Sequence, residues 1–581
     1  MRRLFLLLVA GVALGRPDFS PAQENQGAVP LPPFIVEEAS KGPPWRYAEV
    51  PGFEVLSRCG DSTTRDLVQA HWRLHQLLGL LVPERLQISF TQPKTIIFYD
   101  EALQSAASRE VIASMLKNAA KEAPRVEMPA LELGRFGMRG AMVPTPLTPR
   151  VSFLPNLRLW DKDAMTVFSI VRDGAFDSDR LELTRDYVNY LLTSRVPALP
   201  GWFVNGILTL YEEVGYDATS LTLQAINWPS VEQVAALKRD PKAIPVVAPL
   251  PLAEFFSGAP STATPESEAR RKIWAAQSAL FVRWALDGRT PAQRETFWDF
   301  VAATTGNVSA ESFQRCFGVD FAAADAQLAT YLPAAVKKSF VLRPPHALKP
   351  PKIALRNASE AELARIKGDW ERLEVGFVRV QAPDLAGKYL EQARRTLRHA
   401  YDLGSRDPRL LANLGLCECD AGDDGAARGY LEAAAQRGPM RARAAYELAR
   451  LRFTAADAAA QGNGNRLSVE QVAEIFTPLF AVRLQPPPIP EVYELIARTW
   501  TRSAYAPTRG HLAILDEGVR LFPRRSLLVY QTAALYAARG FSAETAELVQ
   551  LGLLVAADEA ERSRFLQLQA RLPVTPPAAS K

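Results

Sequence analysis

Residues 181–214 read LELTRDYVNYLLTSRVPALPGWFVNGILTLYEEV, and the character of the first half of the chain turns on this stretch. Its opening part is amphipathic, with Leu183, Tyr187, Tyr190 and Leu191 on one face, and a new helix begins after Pro200. Spacing alone therefore predicts two helices joined by a short Pro-rich connector, and says nothing yet about chemistry.

Outward from there the pattern is mixed. A helix is expected over residues 64–80, and β-branched and aromatic runs at 86–90, 94–99 and 164–171 are expected as strands, after which helical signals dominate. An α+β domain over residues 51–340, strand-rich first and helical second, fits this order. Residues 23–50 are rich in Pro, Gly and Glu without periodicity and read as an extended lead-in. Residues 343–352, RPPHALKPPK, hold four prolines, which neither a helix nor a central strand tolerates, so a linker is placed at 341–359. Beyond residue 360 the strand signal disappears and Ala, Leu, Arg and Glu recur at helical spacing, which predicts an α-helical array over 360–575 and a mostly α chain.

Arg2 and Arg3 precede an apolar run over residues 4–14, and small residues follow at Ala13, Gly15, Ser20 and Ala22, the pattern of a secretory signal over residues 1–22. That run is far short of the roughly 20 apolar residues a spanning helix needs. An exported protein, periplasmic or extracellular, with no transmembrane segment after signal removal is the expectation. Lys plus Arg exceed Asp plus Glu by 68 minus 63, a net +5 too thin for a nucleic-acid footprint. Four cysteines, Cys59, Cys316, Cys417 and Cys419, make no disulfide framework. Cys417 and Cys419 point apart on an expected helix, while a Cys59–Cys316 bridge and buried free thiols both stay open.

From Leu411 the chain runs Leu411, Leu414, Gly415, Gly422, Ala427, Leu431, Ala434 and Pro439, which resembles one tetratricopeptide repeat nearly position by position. Glu418 departs from it, standing where the pattern has Tyr. Small residues at Gly415, Ala427 and Ala434 let two helices approach, large apolar ones fill the seam, and Pro439 stops the second helix. Ala445 and Leu448 repeat the pattern 34 residues on, and Pro523, Ala533, Tyr536 and Gly540 echo it. The resemblance implies a protein or peptide partner held by the array, and no chemistry.

Residues 181–214 also resemble the gluzincin, or thermolysin-like, metallopeptidase superfamily, in which an H-E-x-x-H helix is followed by a connector and a W-x-x-E-G helix. Position by position, Arg185 falls at the first His, Asp186 at the general-base Glu, Asn189 at the second His, and Asn205 at the third ligand, after Trp202, Phe203 and Val204 and before Gly206. Residues 94–100 resemble the edge strand before that site, and residues 273–286 and 313–319 resemble later elements of the same superfamily. The resemblance thus implies a zincin-like domain whose three metal ligands are replaced. Arginine has no lone pair to offer and stays charged, and asparagine is a poor zinc donor. Without zinc Asp186 would have to activate ordinary water alone. No catalytic residue, metal or cofactor is expected, and Arg185, Asp186, Asn189 and Asn205 are expected to form one hydrogen-bonded cluster that keeps the two helices in register.

His71 and His75 have the i, i+4 spacing of a zinc helix, but Trp72 replaces the catalytic Glu and no third ligand is evident, so they are read as packing residues and as a weak alternative metal pair. Glu212 and Glu213 read as a solvated helix face. No nucleophile elbow, phosphate loop or dinucleotide fingerprint occurs. The reading is a non-catalytic binding or scaffold protein. The alternative is a hydrolase with a rearranged metal site or metal-free carboxylate chemistry at Asp186.

Overall fold

The computed structural model describes residues 43–103, 151–155, 161–175, 181–237, 247–304, 308–381, 383–460 and 466–571. The expected signal segment, 1–22, and the lead-in up to residue 42 lie outside the described residues. The last part of the lead-in is a strand.

Six strands, β1 (Arg46–Val50), β2 (Phe53–Ser57), β3 (Lys94–Asp100), β4 (Val151–Pro155), β5 (Thr166–Val171) and β6 (Leu181–Leu183), lie in one sheet. A small second sheet pairs β7 (Gly215–Tyr216), β8 (Leu221–Leu223) and β9 (Phe340–Leu342). The seventh strand of the large sheet, β10 (Arg356–Asn357), arrives from beyond residue 340, giving the order β10-β1-β2-β3-β5-β4-β6. β2, β3 and β5 are parallel, and β4 runs antiparallel to β5. The 94–100 run is therefore a central strand, not the edge strand that the resemblance implied. Residues 86–90 are not a strand either: a 3-10 turn at Glu84–Leu86 leads into irregular backbone, and the Ile88 N–H is taken by the Leu191 carbonyl of a helix at 2.7 Å.

The apolar runs of β2, β3 and β5 bury both faces, as a parallel sheet requires. Val55, Ile96, Phe98 and Val167 join the core under α1 (Asp61–Leu81). Their neighbours Leu56, Ile97, Tyr99 and Phe168 point the other way and meet Ile366 and Trp370. Those two residues belong to the first helix after residue 360, so the second half of the chain is the second cover of the sheet.

Helices α2 (Arg185–Thr193), α3 (Gly201–Tyr211), α4 (Leu252–Phe255), α5 (Pro265–Leu286), α6 (Pro291–Ala303), α7 (Ala310–Phe317) and α8 (Phe321–Ala335) complete the first half. Leu183, expected on the helix, is in β6, because Thr184 caps α2 by accepting the Tyr187 N–H at 3.2 Å. Trp202 and Phe203 of α3 are buried in an aromatic core, Trp202 lying edge-on to Phe281 of α5 at 5.3 Å. Gly206 makes that packing feasible: a Cβ there would stand 2.4 Å from the Ser278 carbonyl oxygen of α5.

The segment read as a linker is packed down. Leu348, Ile353 and Leu355 lie against the first core and Arg356 and Asn357 pair with β1, so the prolines separate compositions without freeing the halves.

Beyond it lie α9 (Glu360–Gln381) and α10 (Pro383–Asp402), α11 (Pro408–Ala421) and α12 (Asp424–Arg437), and α13 (Ala442–Ala460) and α14 (Val469–Val482). α15 (Pro490–Arg502) and α16 (Arg509–Leu521), α17 (Ser526–Ala538) and α18 (Ser542–Val555), and finally α19 (Glu559–Ala570) continue the stack. Short connections make each pair an antiparallel hairpin, and α9, α11, α13, α15, α17 and α19 pack in succession. Leu411, Leu414, Ala427, Leu431 and Ala434 are all buried, Gly415 has Leu431 Cγ 2.5 Å from where its Cβ would be, and α12 ends two residues before Pro439. The same device recurs at Gly368 under Leu397.

Candidate functional site

The motif positions lie where β6 feeds α2. Arg185 is the first residue of α2, where a cation opposes the helix dipole, and Asp186 beside it favours it. Arg185 Nε stands 2.9 Å from Glu212 Oε1, an ion pair without hydrogen-bond alignment that links the start of α2 to the end of α3. Asn205 Nδ2 donates to the Ala275 carbonyl of α5 at 3.1 Å. The Asn189 carbonyl accepts from Thr193 Oγ1 at 2.8 Å. Two of the four positions expected to cluster turn elsewhere: Arg185 meets Glu212, and Asn205 turns to a third helix. Glu212 is a partner and not only a solvated face.

Tyr187 faces the other way, into the core, and its hydroxyl meets His75 Nε2 at 2.9 Å. Thus α1 carries the histidine pair to the back of the motif helix. The His71 and His75 rings are 4.6 Å apart. Burial, then the nearby Lys94 charge, pushes His71 down to about 3, and burial with His71 and Lys94 holds His75 well below its ordinary value. Both are neutral at pH 7, and among the described residues no third His, Cys, Asp or Glu gathers with them as a metal site would need. All four cysteines are thiols in the structure, Cys59 and Cys417 buried.

The densest polar site was invisible in the sequence. Asp161 and Asp163, just before β5, are buried against the array. Asp161 accepts hydrogen bonds from Arg372 of α9 and from Arg441, which precedes α13. Arg441 also reaches Asp163 Oδ1 at 3.1 Å, Asp163 Oδ2 accepts the Arg443 N–H at 2.7 Å, and Arg372 Nη1 meets Asp420 Oδ2 at 3.1 Å. Burial opposes the charge on Asp161, but Arg372 and Arg441 outweigh it and hold the carboxyl well below its usual range. A second junction joins Glu54 of β2 to Arg365 of α9 through bonds of 3.1 and 2.7 Å, with Arg409 at 3.4 Å. Burial is again outweighed, here by Arg365, and Glu54 titrates low. Within the array, Glu418 is fully buried between Arg394 and Arg398, at 2.6 and 2.8 Å, which accounts for a carboxylate where the repeat pattern has Tyr.

No protein family matches the chain, and no curated protein matches it. Solved structures similar to it include YrrB, described as a TPR protein with an unusual peptide-binding site, at 12% identity over 37% of this chain and 98% of that one, with a TM-score of 0.27. PilF of Pseudomonas aeruginosa is 14% identical over 37% of this chain and 85% of its own, with a TM-score of 0.26. Scores this low leave the fold to rest on the helix pairing itself.

Proposed function

We propose that the chain is an exported, non-catalytic binding or scaffold protein, in which residues 51–340 are a gluzincin-like domain emptied of its metal ligands and the hairpins beyond residue 360 are a tetratricopeptide-like array that holds a protein or peptide partner. The observation that carries the reading is the Arg185–Glu212 ion pair: a permanent cation stands at the first ligand position and is anchored by a neighbouring carboxylate. Asn205, at the third ligand position, is bonded to the Ala275 carbonyl. Small residues beneath large ones at Gly368 and Gly415 support the repeat reading, and residues 1–22 support export.

Two assays test it. The mature chain should leave fluorescent casein uncut with and without added zinc; turnover abolished by a chelator would overturn the non-catalytic reading. Mass spectrometry of the protein recovered from outside the cytoplasm should find an N-terminus after Gly15 or Ala22, and an intact Met1 there would contradict signal cleavage.

A further inference from the structure

We propose that the array carries a pocket between α10, α11 and α12 for an apolar side chain with a carboxylate beside it, the chemistry of a peptide's C-terminal residue. This rests on the reading of the array as peptide-binding. The cavity there has a volume of about 290 Å³ and is lined by Tyr401, Arg406, Leu411, Gly429, Tyr430 and Arg437, among others. Its size suits one side chain and its carboxylate, at the lower limit of small-ligand pockets.

The walls are cationic and aromatic, and the floor is aliphatic. Arg406 lies over the Tyr401 ring, 3.6 Å from its centroid, and one of its nitrogens is fixed by the Tyr401 and Ser405 carbonyls at 2.7 and 2.9 Å. Tyr430 stands edge-on to Tyr401 at 5.5 Å. Among the described residues Arg437 bonds only the Ala433 carbonyl of its own helix, at 3.1 Å. Among the described residues neither guanidinium has a carboxylate partner, whereas the neighbouring Arg394, Arg398 and Arg428 are paired with Glu391, Glu418 and Glu432. Two uncompensated guanidiniums at one cavity favour an anion, and planar guanidiniums favour a carboxylate. Leu411 is buried beneath, and Gly429 lies on the exposed side of α12, where a Cβ would meet nothing within 4 Å, so the pocket mouth is open there.

The test uses the full mature chain and fluorescein-labelled Gly-Ser-Ala-Ala-Leu, as free acid and as C-terminal amide, beside an amidated peptide with an internal Leu-Glu pair, read by anisotropy. The free acid should bind at least about tenfold more tightly than its amide, and Arg437→Gln should weaken it about tenfold. Gly429→Leu should fill the cavity and abolish binding while leaving the melting temperature unchanged or raised, since Leu favours a helix over Gly. Equal binding of the internal Leu-Glu peptide, lost in both variants, would support the pocket with a side-chain carboxylate as its source. Binding indifferent to both substitutions would overturn the pocket and spare the array reading. No binding of any peptide below about 1 mM would overturn both.

Discussion

At the motif helices and at the junction of sheet and array, arginines meet carboxylates in opposite surroundings. Arg185 and Glu212 keep 34% and 52% of their side-chain surface, while Arg372 and Asp161 keep 1% each. The first pair is a screened surface contact between two helices already held by aromatic packing. The second is a buried network in which each charge depends on the other. The Arg185–Glu212 contact is therefore of little consequence to stability, and the strong polar coupling lies between the two halves. Removing residues 360–581 would uncover Ile97, Tyr99 and Phe168 and strand Glu54, Asp161 and Asp163, so the first half is not a free-standing unit.

The sharpest way to break this contrast is at Arg441. Arg441→Ala leaves two buried carboxylates short of a partner and should cost about 3–5 kcal/mol in chemical denaturation. The same junction sets the acid limb. Asp161 and Glu54 have folded values below the ordinary carboxylate pKa of about 4, so their contribution is complete above that pH and lost as pH falls through the folded values. Wild-type stability should therefore fall below about pH 4 more steeply than that of an Asp161→Asn variant.

Next come the two glycine contacts. Gly206→Ala drives a Cβ onto a main-chain carbonyl and should cost about 3 kcal/mol, whereas Gly415→Ala meets the buried Leu431 side chain, with the Ala427 carbonyl oxygen at 3.2 Å, and should cost about 2 kcal/mol. Equal costs would mean that the array seam is as rigid as the α3–α5 contact.

Glu374 of α9 is pushed up to about 8 by burial. A carboxyl raised in the fold stabilises relative to its ionised form below its unfolded pKa of about 4.3, and that advantage is lost as pH rises to about 8. Glu374→Gln should accordingly stabilise the chain by roughly 1–3 kcal/mol at pH 8 and by much less at pH 4. The smallest effect is expected at the motif: Glu212→Gln should change the unfolding free energy by about 0–1 kcal/mol, less in high salt.

The helices and the repeat seam were legible because they rest on local periodicity. Leu411, Gly415, Ala427 and Leu431 occupy the positions their spacing implies. Residues 86–90 were misread because β-branched and aromatic side chains also pack at a helix end, and only the Leu191 carbonyl decides where the Ile88 N–H goes. The apolar run Ile96, Ile97, Phe98, Tyr99 did hold a sign that the sheet is covered on both faces, and nothing before residue 340 was set aside as the second cover. Asp161, Arg372 and Arg441 carry no local pattern at all. They are joined across gaps of 211 and 280 residues, and only the folded topology brings them together. Nor does any local pattern name Glu212 and Ala275 as the partners of Arg185 and Asn205.

Metal content tests most directly the proposal that α2 and α3 hold a metal site emptied by substitution. Elemental mass spectrometry of the mature protein should find no stoichiometric zinc, while a variant carrying Arg185→His, Asn189→His and Asn205→Glu should gain about one zinc per chain. Stoichiometric zinc in the natural protein would contradict the account and move the search for ligands to His71 and His75.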